Sequence, residues 1–291
     1  MLLGPSGCGK TTLLKMVNRL IDPTDGQILV DGSDIRGINA PDLRRGIGYV
    51  IQQTGLFPHM RVEENIAVVP KLLGWKKAAI SDRVDELLDL IGLPHQDYRK
   101  RYPAQLSGGE QQRVGLARAL AVHPSMMLMD EPFGALDAIT RNRLQSELLG
   151  VHQVLGQTIL FVTHDIDEAV RLADVIVVMR SGEIVQHGAP LDIVTHPADD
   201  FVSDLVGGGD ALRRLGLIEV DSVMQPVAGD EVPDGQSVTP ETDLRQVLDL
   251  LLRTGTSSVP VVNGGGGMVG TVDMDTLWEV ASSHAERAGL Q

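Results

Sequence analysis

The chain opens "MLLGPSGCGKTT", residues 1–12, and the reading of this stretch decides the fold. Gly4, Gly9, Lys10 and Thr11 fill the spacing G-x-x-x-x-G-K-[ST], in which backbone N–H groups of a glycine-rich turn wrap an anionic phosphate chain. Gly4, Pro5, Ser6, Gly7, Cys8, Gly9, Lys10, Thr11 and Thr12 are therefore candidate nucleotide contacts. The chemistry asks for Lys10 at the β- and γ-phosphates and for Thr11 at Mg²⁺. Such a loop needs a strand before it and a helix after it. "TLLKMVNRL" (12–20) has the apolar spacing of the helix, whereas only Met1, Leu2 and Leu3 are available for the strand. The expectation is a shortened domain whose true start lies upstream of Met1.

Composition bounds what surrounds the loop. A length of 291 residues suffices for one large domain and one small one, each with its own core. The net charge of -14, from 39 acidic and 25 basic residues, argues against a nucleic-acid-binding surface. One cysteine excludes an internal disulfide framework and fits a reducing compartment. The longest apolar runs, such as "VIVVM" (175–179), are strand-sized and far short of the roughly 20 residues of a membrane helix.

From Gly4 to about Val206, short apolar runs alternate with helical segments, the pattern of an α/β domain with a mostly parallel sheet. "GQILVDG", "IGYVI", "MMLMDE", "TILFVTH" and the hairpin "VIVVMRSGEIVQHG", turning at Ser181-Gly182, read as strands; 109–122 and 138–155 read as helices. "MMLMDE" ends in Asp130-Glu131, two carboxylates delivered to the sheet edge where ligands gather. Asp130 suits the Mg²⁺ shell, and Glu131 suits deprotonation of an attacking water. His164 ends "TILFV" and points to the same edge. "LSGGEQQR" (106–113) places Ser107, Gly108 and Gly109 at the start of a helix, an anion site made of bare N–H groups and the positive helix end. Cys8, inside the phosphate loop, is read as a small filler whose position near Lys10 and a helix N-terminus favours a reactive thiolate.

The order of phosphate loop, Gln52, "LSGGEQQR", Asp130-Glu131, "GALD" (134–137) and His164 in "VTHD" resembles the ABC-type ATPases over about 200 residues. That resemblance implies a P-loop NTPase fold with a helical signature subdomain, binding ATP and Mg²⁺. It implies a homodimer through the ATPase domains, in which Ser107 and Gly109 of one subunit close on ATP held by the other. By the same resemblance Gln52 senses Mg²⁺ and water, His164 reaches the γ-phosphate, and Asp137 lies at the subunit junction. Such proteins also carry upstream strands and an adenine-stacking aromatic, for which this sequence has no room before Gly4.

"QQTGLFPH" (52–59), "KLLGW" (71–75) and "DEPFGALD" (130–137) resemble the ATP subunits of glycine betaine, choline, carnitine and proline importers. The implied assembly is peripheral, on the cytoplasmic face of the cell membrane, with a permease contacted near Phe57–Met60 and an extracellular solute-binding protein engaged indirectly. The other readings are a regulatory ABC protein without productive turnover and the ATP subunit of an importer for another small solute. After "GGGD" (207–210) the sequence becomes more acidic. There "VDSVMQP", "TDLRQVLDLLLRTGTSSVPVV" and "GMVGTVDMDTL" resemble one CBS module of β-α-β-β-α form, with a helix stripe at Leu244, Val247, Leu248, Leu251 and Leu252. The expected division is an ABC ATPase domain at 1–206, a linker at 207–218, a small α+β CBS-like domain at 219–283 and a tail at 284–291. The family's nucleotide-contacting Thr or Ser, then Asp three residues on, stands reversed here as Asp273 and Thr276.

Overall fold

The computed structural model describes residues 1–51, 55–134, 136–207, 211–229 and 236–282. Its contacts group the chain into two units, 1–168 with 179–184, and 169–178 with 185–291.

The first unit is built on parallel strands. Leu2–Leu3 (β1), Leu29–Val30 (β2), Ser33–Asp34 (β3), Ile47–Val50 (β4), Met126–Asp130 (β5) and Thr158–Thr163 (β6) lie in it, and the strands Ile176–Arg180 (β7) and Glu183–Gly188 (β8) enter it through their turn. The strand order of the main sheet is β4-β5-β6-β1-β7-β8, and β2 pairs with β3 in a separate two-stranded ribbon. The strand that the phosphate loop demands is therefore present: Leu2 and Leu3 pair in parallel with Val162 and Thr163. Both are buried, as are Met127, Leu128, Met129, Phe161 and Val162, the continuous apolar runs of strands covered on both faces. At the β7–β8 turn Ser181 and Gly182 both have positive φ, 51° and 88°, the handedness that a two-residue hairpin loop requires.

The expected helices form with small shifts. The first runs Lys10–Val17, starting at the lysine because Gly9, with φ 106°, already caps it. The helix Gly108–Leu120 buries Val114, Ala117 and Leu120, and Ala138–Leu155 has the expected bounds. Lys77–Leu90 buries Val84, Leu87 and Leu88 and joins Gly108–Leu120 in the helical part of this unit.

In the second unit Gln225–Gly229 (β9), Ser258–Val262 (β10) and Met268–Asp273 (β11) form an antiparallel sheet of order β10-β11-β9. The helices Leu244–Thr254 and Met274–Ser282 accompany it, which gives the expected β-α-β-β-α sequence. Residues 211–215, inside the expected linker, form a helix whose Leu215 enters the core with Val220, Leu244, Val247, Val259, Val261, Val272 and Leu277. The stripe on Leu244–Thr254 is narrower than its sequence: Leu251 is 1% exposed, but Leu252, one residue round the helix, is 69% exposed. Residues 208–210, 230–235 and 283–291, which include the tail, lie outside the described residues.

Leu251→Ala should lower the unfolding free energy of the second unit by about 2–5 kcal/mol, the cost of deleting a buried leucine. Leu252→Ala should stay within about 0.5 kcal/mol. Urea denaturation followed by the two tryptophans or by far-UV circular dichroism measures both.

Candidate active site

Register brings the site together. Because β1 and β5 both run parallel to β6, with Leu2 and Asp130 each opposite Val162, the residues that follow emerge at one edge. Those residues are Gly4, Glu131 and His164. The Glu131 N–H donates to the Val162 carbonyl at 3.0 Å, extending the ladder by one bond, and Glu131 then turns sharply at φ 45°. A non-glycine residue in the left-handed region is strained, and such strain concentrates at functional sites. The Glu131 side chain meets His164, with Nδ1 3.2 Å from Oε2. Phe133 packs beside Phe161 beneath this turn, ring centroids 5.8 Å apart.

The phosphate loop is a glycine structure for two different reasons. A Cβ on Gly4 would stand 2.3 Å from the Met179 carbonyl oxygen, so the loop's entry has no room for one. Gly7 and Gly9 have open or ordinary surroundings but φ of 82° and 106°, which only glycine adopts freely. The turn is braced from outside by Gly182, whose N–H donates to the Cys8 carbonyl at 2.9 Å. Lys10 is 5% exposed and donates to the carbonyls of Gly4 at 2.7 Å and Pro5 at 2.9 Å. Cys8 is buried, its Sγ 3.7 Å from the Lys10 Nζ, so it fills the inside of the loop and presents little sulfur to reagents.

Thr11 donates its hydroxyl to Asp130 Oδ1 at 2.9 Å, joining the phosphate loop to the end of β5. A hydroxyl beside a carboxylate is a hard-oxygen donor set. Among the described residues no group of three or more His, Cys, Asp or Glu side chains gathers to hold a metal by itself.

Ser107 caps the helix Gly108–Leu120: Glu110 N–H donates to Ser107 Oγ, and the Ser107 N–H and hydroxyl both donate to Glu110 Oε2, at 2.7 and 2.9 Å. Tyr98 donates to Glu110 Oε1 at 2.6 Å, and this bond first, with the Ser107 N–H second, holds the Glu110 carboxyl below its ordinary range. Gly108 faces open space. A Cβ on Gly109 would meet Thr140 Cγ2 of the same chain at 2.9 Å, so the two glycines are not equivalent. Asp137 caps the helix Ala138–Leu155 through the N–H groups of Ile139 and Thr140, both 3.1 Å away. Hydrogen bonding from Thr140, the side chain first, holds its carboxyl below the ordinary range. Gln52 lies outside the described residues, as do Gln53, Thr54 and Ala135.

Several residues that shape the site carry no role in the sequence motifs. Asn65, fully buried, accepts from the Phe57 N–H at 2.7 Å and donates to the carbonyls of Phe57, Met60 and Arg61, so it builds the loop Phe57–Met60 from within. Gln112 donates to the Pro132 carbonyl at 2.7 Å, linking the helix Gly108–Leu120 to the turn after Glu131. Asp165 caps the helix after His164, and Glu168, 5% exposed, accepts from the Thr163 hydroxyl at 2.7 Å and from Gln145 at 3.3 Å. Burial pushes the Glu168 carboxyl up, opposed by the Thr163 bond. The D-x-x-E spacing of a helix start was the signal available for this last pair.

The ABC transporter family model matches residues 1–134, and the CBS domain model matches residues 220–277. A glycine betaine uptake system ATP-binding protein of Escherichia coli (strain K12) is 50% identical over 277 residues, 95% of this chain and 89% of its own. A choline transport ATP-binding protein of Bacillus subtilis (strain 168) is 47% identical over 279 residues, covering 94% of this chain and 71% of its own. Among solved structures, a dimeric post-hydrolysis state of an ATP-binding cassette bound to ADP and Pi is similar with a TM-score of 0.57 at 33% identity, over 65% of this chain and 84% of that one.

Burial of Cys8 sets an expectation for its chemistry. A maleimide should label the folded chain at least about tenfold more slowly than the urea-unfolded one, since thiol reactivity follows access as well as thiolate fraction. The labelled fraction should have lost nucleotide binding, because the adduct fills the loop. Mass spectrometry over time, with a nucleotide-binding assay on the labelled fraction, checks both.

Proposed function

The chain belongs to the ABC transporter ATP-binding family, and we propose that its hydrolysis of ATP energises import of a compatible solute through a membrane permease. The solute class is a quaternary amine of the glycine betaine, choline or carnitine type, in keeping with what the names of its relatives say of those proteins, with proline added on the sequence resemblance alone. The single observation that carries hydrolysis is the Glu131–His164 contact at 3.2 Å, set beside the Thr11–Asp130 pair at the same sheet edge. A regulatory protein without turnover would have no need of that strained carboxylate.

Thr11 and Asp130 would hold Mg²⁺, which supplies neutralisation of charge on the β- and γ-phosphate oxygens; Gln52 joins them on the strength of the family resemblance. The chain's own residues do the rest. The N–H groups from Gly7 to Thr12 orient the phosphates, and the Lys10 ammonium, pre-aligned on loop carbonyls, binds them. Glu131 accepts a proton from the attacking water at its carboxylate. His164 holds that carboxylate in direction and reaches the γ-phosphate.

Ser107 and the N–H groups of Gly108 and Gly109 form an anion site only if phosphate is brought to them. We assign that phosphate to a second copy of the chain, so that two ATPase domains close face to face with Asp137 at their junction. The permease would be met at the Phe57–Met60 loop, which Asn65 holds rigid. Beside that loop an open groove of about 520 Å³ is lined by Glu63, Glu64, Lys71, Trp75, Lys77 and Arg99. Among the described residues no helix is long and apolar enough to cross a membrane, in keeping with peripheral attachment at the cytoplasmic face. A solute-binding protein on the other side would be engaged only through the permease. In the CBS-like region Asp273 accepts from both the N–H and the hydroxyl of Thr276, at 2.8 and 2.7 Å. The hydroxyl is thereby used in a helix cap, which leaves adenosine-nucleotide recognition there without its usual group.

Glu131→Gln should retain ATP binding and lower hydrolysis by about 10²- to 10⁴-fold, the range for losing a general base. Turnover unchanged in the purified, permease-coupled protein would remove Glu131 from that role. Gly108→Asp, whose Cβ would meet nothing within 4 Å beyond its chain neighbours and its own helix backbone, should abolish ATP-dependent dimers of the Glu131→Gln protein in sedimentation velocity. Normal dimers would count against the closed arrangement. Uptake of labelled glycine betaine, choline, carnitine and proline, in cells that carry the permease with and without this chain, tests the solute class.

A further inference from the structure

Three charged side chains beside the site are left over by the hydrolytic roles: Arg141, Asp165 and Glu168. Arg141 lies one turn into the helix that Asp137 caps. Its Nη2 donates to the Leu136 carbonyl at 3.1 Å, in the turn that ends at Asp137, and its Nη1 lies 3.2 Å from Asp165 Oδ2. Asp165 follows His164 directly, and its N–H donates to the Thr163 hydroxyl at 3.0 Å, which in turn donates to buried Glu168 at 2.7 Å. The peptide 163–165 that carries His164 is therefore gripped on one side by Arg141 and on the other by Glu168.

The grip is one bond short of complete. Arg141 Nε is buried without a hydrogen-bond partner, and Glu168 Oε1 lies 4.0 Å from it, about 1 Å beyond a hydrogen bond. A buried donor left unmade is costly, so the network favours any small movement of the Leu136–Asp137 turn that carries Arg141 onto Glu168. Such a movement also draws on Asp165, and with it on the imidazole that touches Glu131.

We infer that Arg141 is a positioning residue that couples the turn at Leu136–Asp137 to His164, so that a change at the subunit junction sets the alignment of His164 on Glu131. This rests on the reading of Glu131 and His164 as the hydrolytic pair. A guanidinium is suited to the task because its rigid fork addresses the Leu136 carbonyl and the Asp165 carboxylate at once and keeps Nε for a second carboxylate; lysine reaches only one of them well.

The test is a double-mutant cycle on ATP hydrolysis by the full chain. Arg141→Met, which keeps the aliphatic bulk, should lower kcat by tenfold or more while KM for ATP stays within threefold. Arg141→Lys should be intermediate. In a His164→Ala background, Arg141→Met should cost less than threefold, because residues that act as a unit are non-additive. Asp165→Asn in the same cycle reports on the same link independently of whether Arg141→Met folds. A damaging His164→Ala with fully additive Arg141→Met or Asp165→Asn overturns the coupling alone. So does a loss that falls wholly on KM. An unimpaired His164→Ala overturns the assignment of His164 and the coupling with it.

Discussion

Parallel pairing of Leu2–Leu3 and of Met126–Asp130 with Thr158–Thr163 is the constraint from which the site follows. Parallel strands in register end at one edge, so the residues just beyond their ends meet without long side chains having to reach. Gly4, Glu131 and His164 come from distant parts of the sequence and owe their proximity to two ladders of main-chain hydrogen bonds. The same pairing fits the apolar middles of the strands, Met127–Met129 and Phe161–Val162. A polar side chain at buried Met127, Leu128 or Met129 would lose its water without gaining a partner, whereas Asp130, at the strand's end, accepts from Thr11.

Around that edge the loops take their form from polar side chains that bond to the backbone. Asn65 fixes the Phe57–Met60 loop, Ser107 and Glu110 close on each other at one helix start, Asp137 caps another, and Asp165 a third. The three caps satisfy N–H groups that a helix start leaves bare, Asn65 satisfies groups of a loop, and each acts next to a candidate contact for nucleotide or partner. The result is a set of rigid termini joined by short turns. Rigid elements linked at a few polar contacts can shift as bodies, which suits the proposed cycle in which closure of two subunits is felt at the γ-phosphate.

The C-terminal unit is held differently. Its core is a patch of valines and leucines on three antiparallel strands with two helices, closed from one side by Leu215. Among its described residues, Asp273 and Thr276 bond to each other in capping the helix Met274–Ser282. A unit of this composition can associate or transmit strain, but its described residues offer no assembled polar pocket of the kind found at the sheet edge.

Much of this was legible in the residues alone. Alternating apolar runs and helical spacing specify an α/β domain because strand and helix periods are local properties of the chain. The phosphate loop is equally local: Gly4 to Thr11 are contiguous, and their backbone needs only glycine in the right places. The placement of Asp130, Glu131 and His164 at one edge was readable because each lies at or just past the end of a strand, and strand ends share an edge. What the sequence could not decide are facts about neighbours far along the chain. That Leu2–Leu3 suffices for a strand depends on Val162 and Thr163; that Leu252 is outside while Leu251 is inside depends on where the second unit's sheet lies. The contact of Glu131 with His164, the different surroundings of Gly108 and Gly109, and the grip of Arg141 and Glu168 on either side of residues 163–165 arise only when separate helices and strands are packed. Local periodicity sets what each segment becomes, and long-range register and packing alone set which side chains touch.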